Sequence, residues 1–313
     1  MKILHVPFGY YPDAVGGTEV YVAALARELT ALGTVNVIAA PGPESTHYQH
    51  ADLDVYRYAI TPNLTDLDAL YGTGDPVAEA SFAAVLDHVQ PNVVHLHALT
   101  SAISLRTVRA CQQRRLPVVF TYHTPTVTCM RGTLLRWGTD LCAGEMDTRL
   151  CTQCLLHKHG LKPPFNTLIA ALPPALTDWA RGRQGGVWTA LQMRRLVDIR
   201  HTTTHEFLQS VDQIVVLCRW TQALLHANGL PADKVYVAPH GLAALPQDIS
   251  PAAEVPARPL KLAYLGRLDP VKGVDVVVRA MRDLLTAPIQ LDIYGVTQPG
   301  NETYREQLRA GRE

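Results

Sequence analysis

The stretch from Leu260 to Met281, LKLAYLGRLDPVKGVDVVVRAM, determines how the rest of the chain is interpreted. Its apolar start, Leu260 to Leu265, is short enough for a buried strand. Pro270 and Gly273 predict a turn, and the valines that follow recur at the spacing of one apolar helix face. A strand, a loop and a helix in this order are typical of units that bind ligands at the carboxyl end of a parallel sheet.

Two cations, Arg267 and Lys272, lie in the predicted loop beside the start of the helix. The forked guanidinium of an arginine and the point charge of a lysine suit a diphosphate, together with the free N–H groups of a helix N-terminus. The alternative is that both side chains are solvated loop charges without a ligand.

The segment GRLDPVKG with its apolar helix resembles the first loop of the second domain in family 4 of the glycosyltransferases, retaining enzymes of the GT-B fold. The resemblance implies that Arg267 and Lys272 hold the pyrophosphate of a nucleotide-sugar donor. It also implies that the sugar moves to an acceptor hydroxyl by front-face attack, with its configuration retained. No catalytic metal is expected, because the cations replace it.

The N-terminus predicts a second site of this kind. A buried strand, Lys2 to Pro7, precedes Gly16, Gly17 and a helix for which Thr18 is the expected N-cap. Paired glycines allow close backbone approach, although they also mark simple tight turns. The pair is similar to the amino-terminal glycine loop of the same family, which implies that it faces the donor diphosphate.

Strands and helices alternate through most of the first 242 residues, and this predicts an α/β fold with a doubly wound parallel sheet. His97 and His123 each end a predicted strand, where ligands bind. His97 fits a capping role as well as a functional one. The resemblance places a histidine like His123 in the acceptor pocket, where imidazole can exchange a proton near neutral pH. The family usually has asparagine at the position of His240.

A long insertion, residues 124–210, interrupts the alternation and contains four cysteines. Four thiols could close a structural zinc site, although their spacing is not that of a standard zinc ribbon. Unligated reduced cysteines and a disulfide pair are the two alternatives. The four positions are Cys129, Cys142, Cys151 and Cys154.

The later part of the insertion is basic and carries apolar patches around Trp179 and Trp188. Such a surface suits an anionic membrane face and a lipid-linked or polysaccharide acceptor, as in cell-envelope biosynthesis. A solvated helical hairpin is the alternative. Formal net charge is zero, so nucleic-acid binding through bulk charge is not expected. Without a signal peptide or a long apolar run, we expect a cytoplasmic protein, in contact with the inner membrane face if the acceptor is a lipid.

The sequence therefore predicts an acceptor-side Rossmann-like domain at 1–242, a linker at 243–259, and the start of a nucleotide-sugar-binding domain at 260–313. The second domain shows two strands and lacks the family's pair of glutamates, so we expect it to be incomplete. Either the chain is a fragment, or a second polypeptide completes it. The expected function is retaining glycosyl transfer. The alternative is a partner-dependent subunit that binds acceptor without transferring sugar.

Overall fold

The computed structural model describes residues 1–13, 16–183, 185–241, 259–284, 286–297 and 300–310. The chain divides into two compact units, Met1–Ala243 and Ala244–Glu313. The predicted linker at 243–259 lies outside the described residues, except for Pro259. No helix in the described ranges has both the length and the apolar character needed to cross a bilayer.

The first unit is built on an eight-stranded sheet with the spatial order β10-β9-β6-β5-β1-β2-β4-β3, in which all strands except β3 pair in parallel. Two short strands, β7 and β8, form a separate hairpin. The bounds are β1 (Lys2–Val6), β2 (Val35–Gly42), β3 (Thr46–His50), β4 (Leu53–Ala59), β5 (Val93–Leu96), β6 (Val118–Tyr122), β7 (Leu135–Arg136), β8 (Asp140–Leu141), β9 (Gln213–Val216) and β10 (Val235–Val237).

Helices cover both faces of this sheet, which confirms the predicted doubly wound α/β fold. The larger core lies under α2, α3, α8 and α9, and a smaller core on the opposite face lies under α1. The bounds are α1 (Gly17–Ala31), α2 (Pro76–Val89), α3 (Leu105–Gln113), α4 (Thr148–Lys158), α5 (Phe165–Ala170), α6 (Pro174–Trp179), α7 (Gly186–Leu191), α8 (Met193–Ser210) and α9 (Arg219–Ala227).

Helix α2 shows how local sequence fixes these elements. Asp75 is its N-cap and accepts a hydrogen bond from the Val77 N–H at 2.9 Å, while Pro76 occupies the first helical position. A carboxylate satisfies an otherwise unpaired N–H group there, and proline has no N–H to leave unpaired. Phe82 and Leu86, one turn apart, then place their side chains in the larger core.

Strand β3, with the sequence THYQH, was not predicted. The strand pairs antiparallel with β4 at the edge of the sheet, with His47 stacked on Tyr56 at 4.4 Å between ring centroids. An edge strand buries little side-chain surface, so it carries no apolar alternation by which the sequence would reveal it.

Arg57 on β4 anchors the loop that leads to the predicted glycine site. Its side chain is 8% exposed and donates hydrogen bonds to the Tyr10 carbonyl and to the Asp13 carboxylate, both at 2.6 Å. A buried guanidinium needs such partners, because its charge cannot be neutralised at physiological pH. Arg57 therefore holds the segment from Tyr10 to Asp13 against the sheet.

The predicted insertion, 124–210, holds the β7–β8 hairpin and helices α4 to α8. Its last helix, α8, places Phe207 and Leu208 in the larger core, with Phe207 edge-on to Phe120 of β6. Helix α8 thus also serves as the crossover between the parallel neighbours β6 and β9.

The second unit contains a strand, a helix, a parallel strand and a final helix: β11 (Leu260–Leu268), α10 (Val274–Arg282), β12 (Ile289–Thr297) and α11 (Glu302–Ala310). Leu268, Val274, Tyr304 and Leu308 form its small core. Several apolar side chains of the two strands are exposed, including Leu265 at 79% and Val296 at 70%.

Candidate active site

His123 lies at the carboxyl edge of the sheet, directly after β6, and is half-buried. His97 follows the neighbouring strand β5, where its N–H donates to the Val6 carbonyl at 3.0 Å. The Nδ1 atom of His97 lies 3.1 Å from the Nε2 atom of His123. The sequence predicted both positions, and the structure brings the two rings into hydrogen-bond contact.

The first turn of α1 opens at Gly16 and Gly17, both of which are exposed. Gly16 is the N-cap, so the prediction of Thr18 as the N-cap is wrong. The reason is the Glu19 carboxylate, which accepts the Gly16 N–H at 2.8 Å and satisfies the helix start from within. A Cβ atom added at Gly17 would meet nothing within 4 Å, so a ligand can approach the backbone of this turn.

Tyr21, one turn further along α1, connects the glycine turn to the histidines. Its ring packs edge-on to His123 at 5.0 Å and stacks on His240 at 4.3 Å between centroids. The rise of a helix puts Gly17 about 6 Å along the axis from Tyr21. Gly17 and His123 therefore belong to one region of the edge. Sequence reasoning missed Tyr21, although its place one turn after a glycine pair could have indicated it.

Behind His97 lies a second pair of histidines that sequence reasoning also missed. His5 on β1 and His95 on β5 are register partners, so their side chains lie on the same face of the sheet. The Nδ1 atom of His5 is 3.3 Å from the Nε2 atom of His97, and the Nε2 atom of His95 is 2.7 Å from the Thr121 hydroxyl. Imidazoles at paired positions of two otherwise apolar strands were the available signal.

The imidazoles of this cluster are neutral at physiological pH. Burial lowers the pKa of His5 to about 4 and, with a smaller effect of His240, that of His123 to about 4. Burial, and then neighbouring imidazoles, hold the pKa of His95 and of His97 well below the usual range. Neutral rings can accept a proton or a hydrogen bond from a ligand hydroxyl.

This burial predicts that the first unit loses stability in mild acid. The unfolded histidines titrate near pH 6.5, whereas His5 and His123 stay neutral in the folded protein down to about pH 4. Between these values the unfolded chain binds more protons, so the free energy of unfolding falls as the pH falls. The loss between pH 6.5 and 5 is on the order of 1 kcal/mol for each buried ring.

Urea unfolding followed at pH 7.5, 6.5, 5.5 and 5.0 measures this slope. His88→Gln, at an exposed position, is the matched control and should leave it unchanged. A free energy of unfolding that stays constant from pH 7.5 to 5.0 would contradict neutral burial of the cluster.

Arg267 and Lys272 belong to the second unit. Arg267 was predicted in a loop but lies within β11, because backbone pairing continues past Gly266 and sets Arg267 beside Val296 of β12. Lys272 ends a short 3-10 turn that leads into α10, as predicted. Both side chains are exposed, and neither has a hydrogen-bond or ion-pair partner among the residues described.

The four cysteines of the insertion line one cavity of about 140 Å³. Cys151 and Cys154 lie one turn apart on α4, and burial, followed by the nearby Cys142 and Cys129 thiols, raises the pKa of Cys151 to about 12. Within the described ranges, one group of three potential metal ligands has all its ligand atoms within 4.8 Å of one another: His5, His95 and His97. The four cysteines line one cavity, but their Sγ atoms do not form such a group.

Solved structures of other proteins share this fold. Sucrose-phosphate synthase from Thermosynechococcus elongatus matches with 16% identity and a TM-score of 0.52, over 99% of this chain and 66% of that one. HepE of Anabaena, in complex with UDP, matches with 15% identity and a TM-score of 0.51, over 99% of this chain and 65% of that one. The fold is that of GT-B proteins, and the chain spans just under two thirds of their length.

A family model then narrows the class. The Glycosyl transferase 4-like domain matches residues 16–241, which include the glycine turn, His97, His123 and the cysteine cavity. The chain belongs to this family, and the predicted family 4 resemblance is confirmed. No curated protein sequence matches the chain.

Proposed function

We propose that the chain transfers a sugar from a nucleotide-diphosphate sugar to the hydroxyl group of an acceptor. The observation that carries the proposal is the convergence of the α1 glycine turn and His123 on Tyr21, at the ligand-binding edge of the family-matched unit. A neutral imidazole beside a helix N-terminus offers a base and an anion site side by side.

In this proposal His123 accepts the hydrogen bond of a sugar hydroxyl. An anionic group binds at the glycine turn, Gly16 and Gly17, where the space beside Gly17 is open. Arg267 and Lys272 hold the diphosphate and stabilise the negative charge that develops as it leaves, in place of a catalytic metal. Their unpaired, exposed side chains support this role. UDP, the nucleotide in the HepE structure, is the first probe to use.

We extend the proposal to an acceptor at a membrane surface, such as a lipid-linked glycan. Exposed apolar side chains stand beside cations in the insertion: Leu168 is 62% and Val187 72% exposed, and the Arg183 guanidinium lies 3.9 Å from the centroid of the exposed Trp179 ring. Aromatic and basic side chains together favour an anionic interface.

Incubation of the chain with labelled nucleotide sugars tests the function, in three arms: soluble oligosaccharide, vesicles containing anionic lipid, and membrane extract. Product NMR reads the anomeric configuration, and retention is expected. Turnover only with extract would indicate that the extract supplies either the lipid-linked acceptor or a second polypeptide. The exposed strand side chains Leu265 and Val296 suggest a second polypeptide. Binding of UDP or acceptor without transfer in any arm would favour the subunit alternative, and no binding at all would refute the proposal.

The cysteine cavity leads to a separate proposal, one structural zinc ion per chain. Four thiolates are a complete tetrahedral ligand set at about 2.3 Å from the metal, and binding would draw them closer together. The ion would tie the loop at Cys129 and the hairpin at Cys142 to helix α4, a role in folding and not in catalysis.

We expect about one equivalent of zinc by elemental analysis of the purified protein, with loss of zinc in Cys151→Ser. Chelation should loosen the insertion and leave the parallel sheet folded, because the sheet has a core of its own. Cys111→Ser, at the buried cysteine outside the cavity, is the control and should retain the metal. Metal-free protein with four reactive thiols at these positions would contradict the proposal.

A further inference from the structure

Asn36 of β2 begins an unbroken row of hydrogen bonds that ends at His123. The Asn36 Oδ1 atom lies 3.1 Å from Nε2 of His5, and the row continues through His5 and His97 to Nε2 of His123 at separations of 3.3 and 3.1 Å. Asn36, His5 and His97 are buried. His5 and His97 each use both ring nitrogens, and His123 joins the row through Nε2, so the proton position on one ring constrains the next.

The orientation of the Asn36 amide is fixed by its other neighbours. The Thr30 hydroxyl donates to the Ala26 carbonyl at 2.9 Å, and the Thr34 hydroxyl donates to the Leu29 carbonyl at 2.8 Å. Each hydroxyl has one proton, so both can only accept from Asn36, whose Nδ2 lies 2.9 Å from each oxygen. The amide nitrogen therefore faces the threonines, and the amide oxygen faces His5.

This orientation sets the proton positions along the whole row. An amide oxygen only accepts, so Nε2 of His5 carries a proton and Nδ1 of this neutral ring is bare. A bare Nδ1 in His5 requires a proton on Nε2 of His97, which leaves Nδ1 of His97 bare. The bare Nδ1 of His97 in turn requires a proton on Nε2 of His123. The Nδ1 atom of His123 is then left with a free lone pair.

The row does not serve as an exit for protons. A proton taken up at His123 could pass along the rings to His5, but the Asn36 amide oxygen is not a base and cannot remove it. A carboxylate in this place would stabilise a charged ring, as in catalytic triads. An amide instead orients a neutral ring. The effect of Asn36 on His123 is therefore one of tautomer selection.

We infer that Asn36 is a positioning residue that sets the tautomer of His123, so that Nδ1 is the hydrogen-bond acceptor offered to a ligand. The ligand class is one with a hydroxyl donor, such as a sugar. This choice of ligand rests on the proposed function, whereas the tautomer itself does not.

Long-range ¹H–¹⁵N correlation spectra of protein labelled with ¹⁵N-histidine distinguish protonated from bare ring nitrogens. Loss of signals in His123→Gln assigns His123. In the wild type we expect protonated Nε2 and bare Nδ1 in His5, His97 and His123. No sugar substrate is needed, so this readout stands apart from any test of transfer.

Asn36→Leu removes the acceptor and leaves the Nε2–H of His5 without a partner. This unpaired donor is avoided if His5, His97 and His123 all adopt the other tautomer. The proton of His123 should therefore move to Nδ1 in the major form. Thr121→Val, which removes the partner of His95 outside the row, is the matched control and should leave His123 unchanged.

Three results would overturn the inference. The first is a wild-type His123 with its proton on Nδ1, a measurement that needs no variant to fold. The second is an Asn36→Leu spectrum in which His123 is unchanged. The third is a zinc titration that shifts the ¹⁵N signals of His5 and His97 together. A zinc ion would bind a lone pair on Nδ1 of His5 and another on Nε2 of His97, whereas the row has one proton shared between these two atoms. If the tautomers are as expected but transfer is absent in every variant, the proposed function fails and the inference about Asn36 stands.

Discussion

His123→Ala is expected to slow sugar transfer by about 10²- to 10⁴-fold, the usual contribution of a positioned acid–base group. The ring stands at the carboxyl edge of β6, next to Tyr21 and within reach of the glycine turn. Its bare nitrogen would accept the hydrogen bond of a sugar hydroxyl, and alanine offers no replacement. Steady-state kinetics with saturating donor should show the loss mainly in kcat.

Two further variants separate chemistry from folding. His123→Gln can still donate to His97 and should remain folded, but it lacks an imidazole and should be nearly as slow as the alanine variant. His201 is a buried histidine of α8 whose pKa burial lowers to about 4 as well, so His201→Gln is a matched control that should keep near-normal rates. Equal activity in His123→Gln and wild type would exclude His123 from the reaction.

Arg267→Ala and Lys272→Ala should each weaken binding of a nucleoside diphosphate roughly 10- to 150-fold. Hydrogen bonds to charged groups contribute roughly 1.5–3 kcal/mol each, which converts to this range of dissociation constants. The effect of the arginine should be the larger, because a guanidinium can hold two phosphate oxygens at once. Calorimetric titration with UDP measures both.

Lys261→Ala is the matched control for this pair. Lys261 is an exposed cation at the amino end of the same strand, β11, so its removal changes the net charge equally but at the wrong end of the strand. UDP affinity in Lys261→Ala should stay within about twofold of wild type. If all three variants bind UDP equally well, Arg267 and Lys272 do not contact the diphosphate.

The elements that bury an apolar face could be predicted from the sequence. Strands such as β5 and β6 are largely apolar, and α2 carries an aspartate cap with proline at its first position. These local patterns agree with the tertiary structure because parallel strands are covered on both faces. Strand β3 escaped prediction because it is polar and gains its stability from pairing with β4.

Part of the candidate site could be located from the sequence, at the residues that directly follow strands. His97 and His123 were found because the ends of parallel strands meet at one edge. Tyr21, His5 and Asn36 were missed because their roles depend on contacts between distant parts of the chain. Asn36, for example, is 31 residues from His5, and no local periodicity links a strand asparagine to that imidazole.

The charge states of the two sets of side chains imply different responses to ionic strength. The imidazoles around His123 are neutral, so dissolved ions have no charge to screen there. Arg267 and Lys272 are full charges exposed to solvent, and screening shortens their reach to about 8 Å at physiological salt. Added salt should therefore weaken binding of the nucleotide far more than binding of an uncharged acceptor. The salt dependence of each Michaelis constant would show which of the two ligands is held by charge.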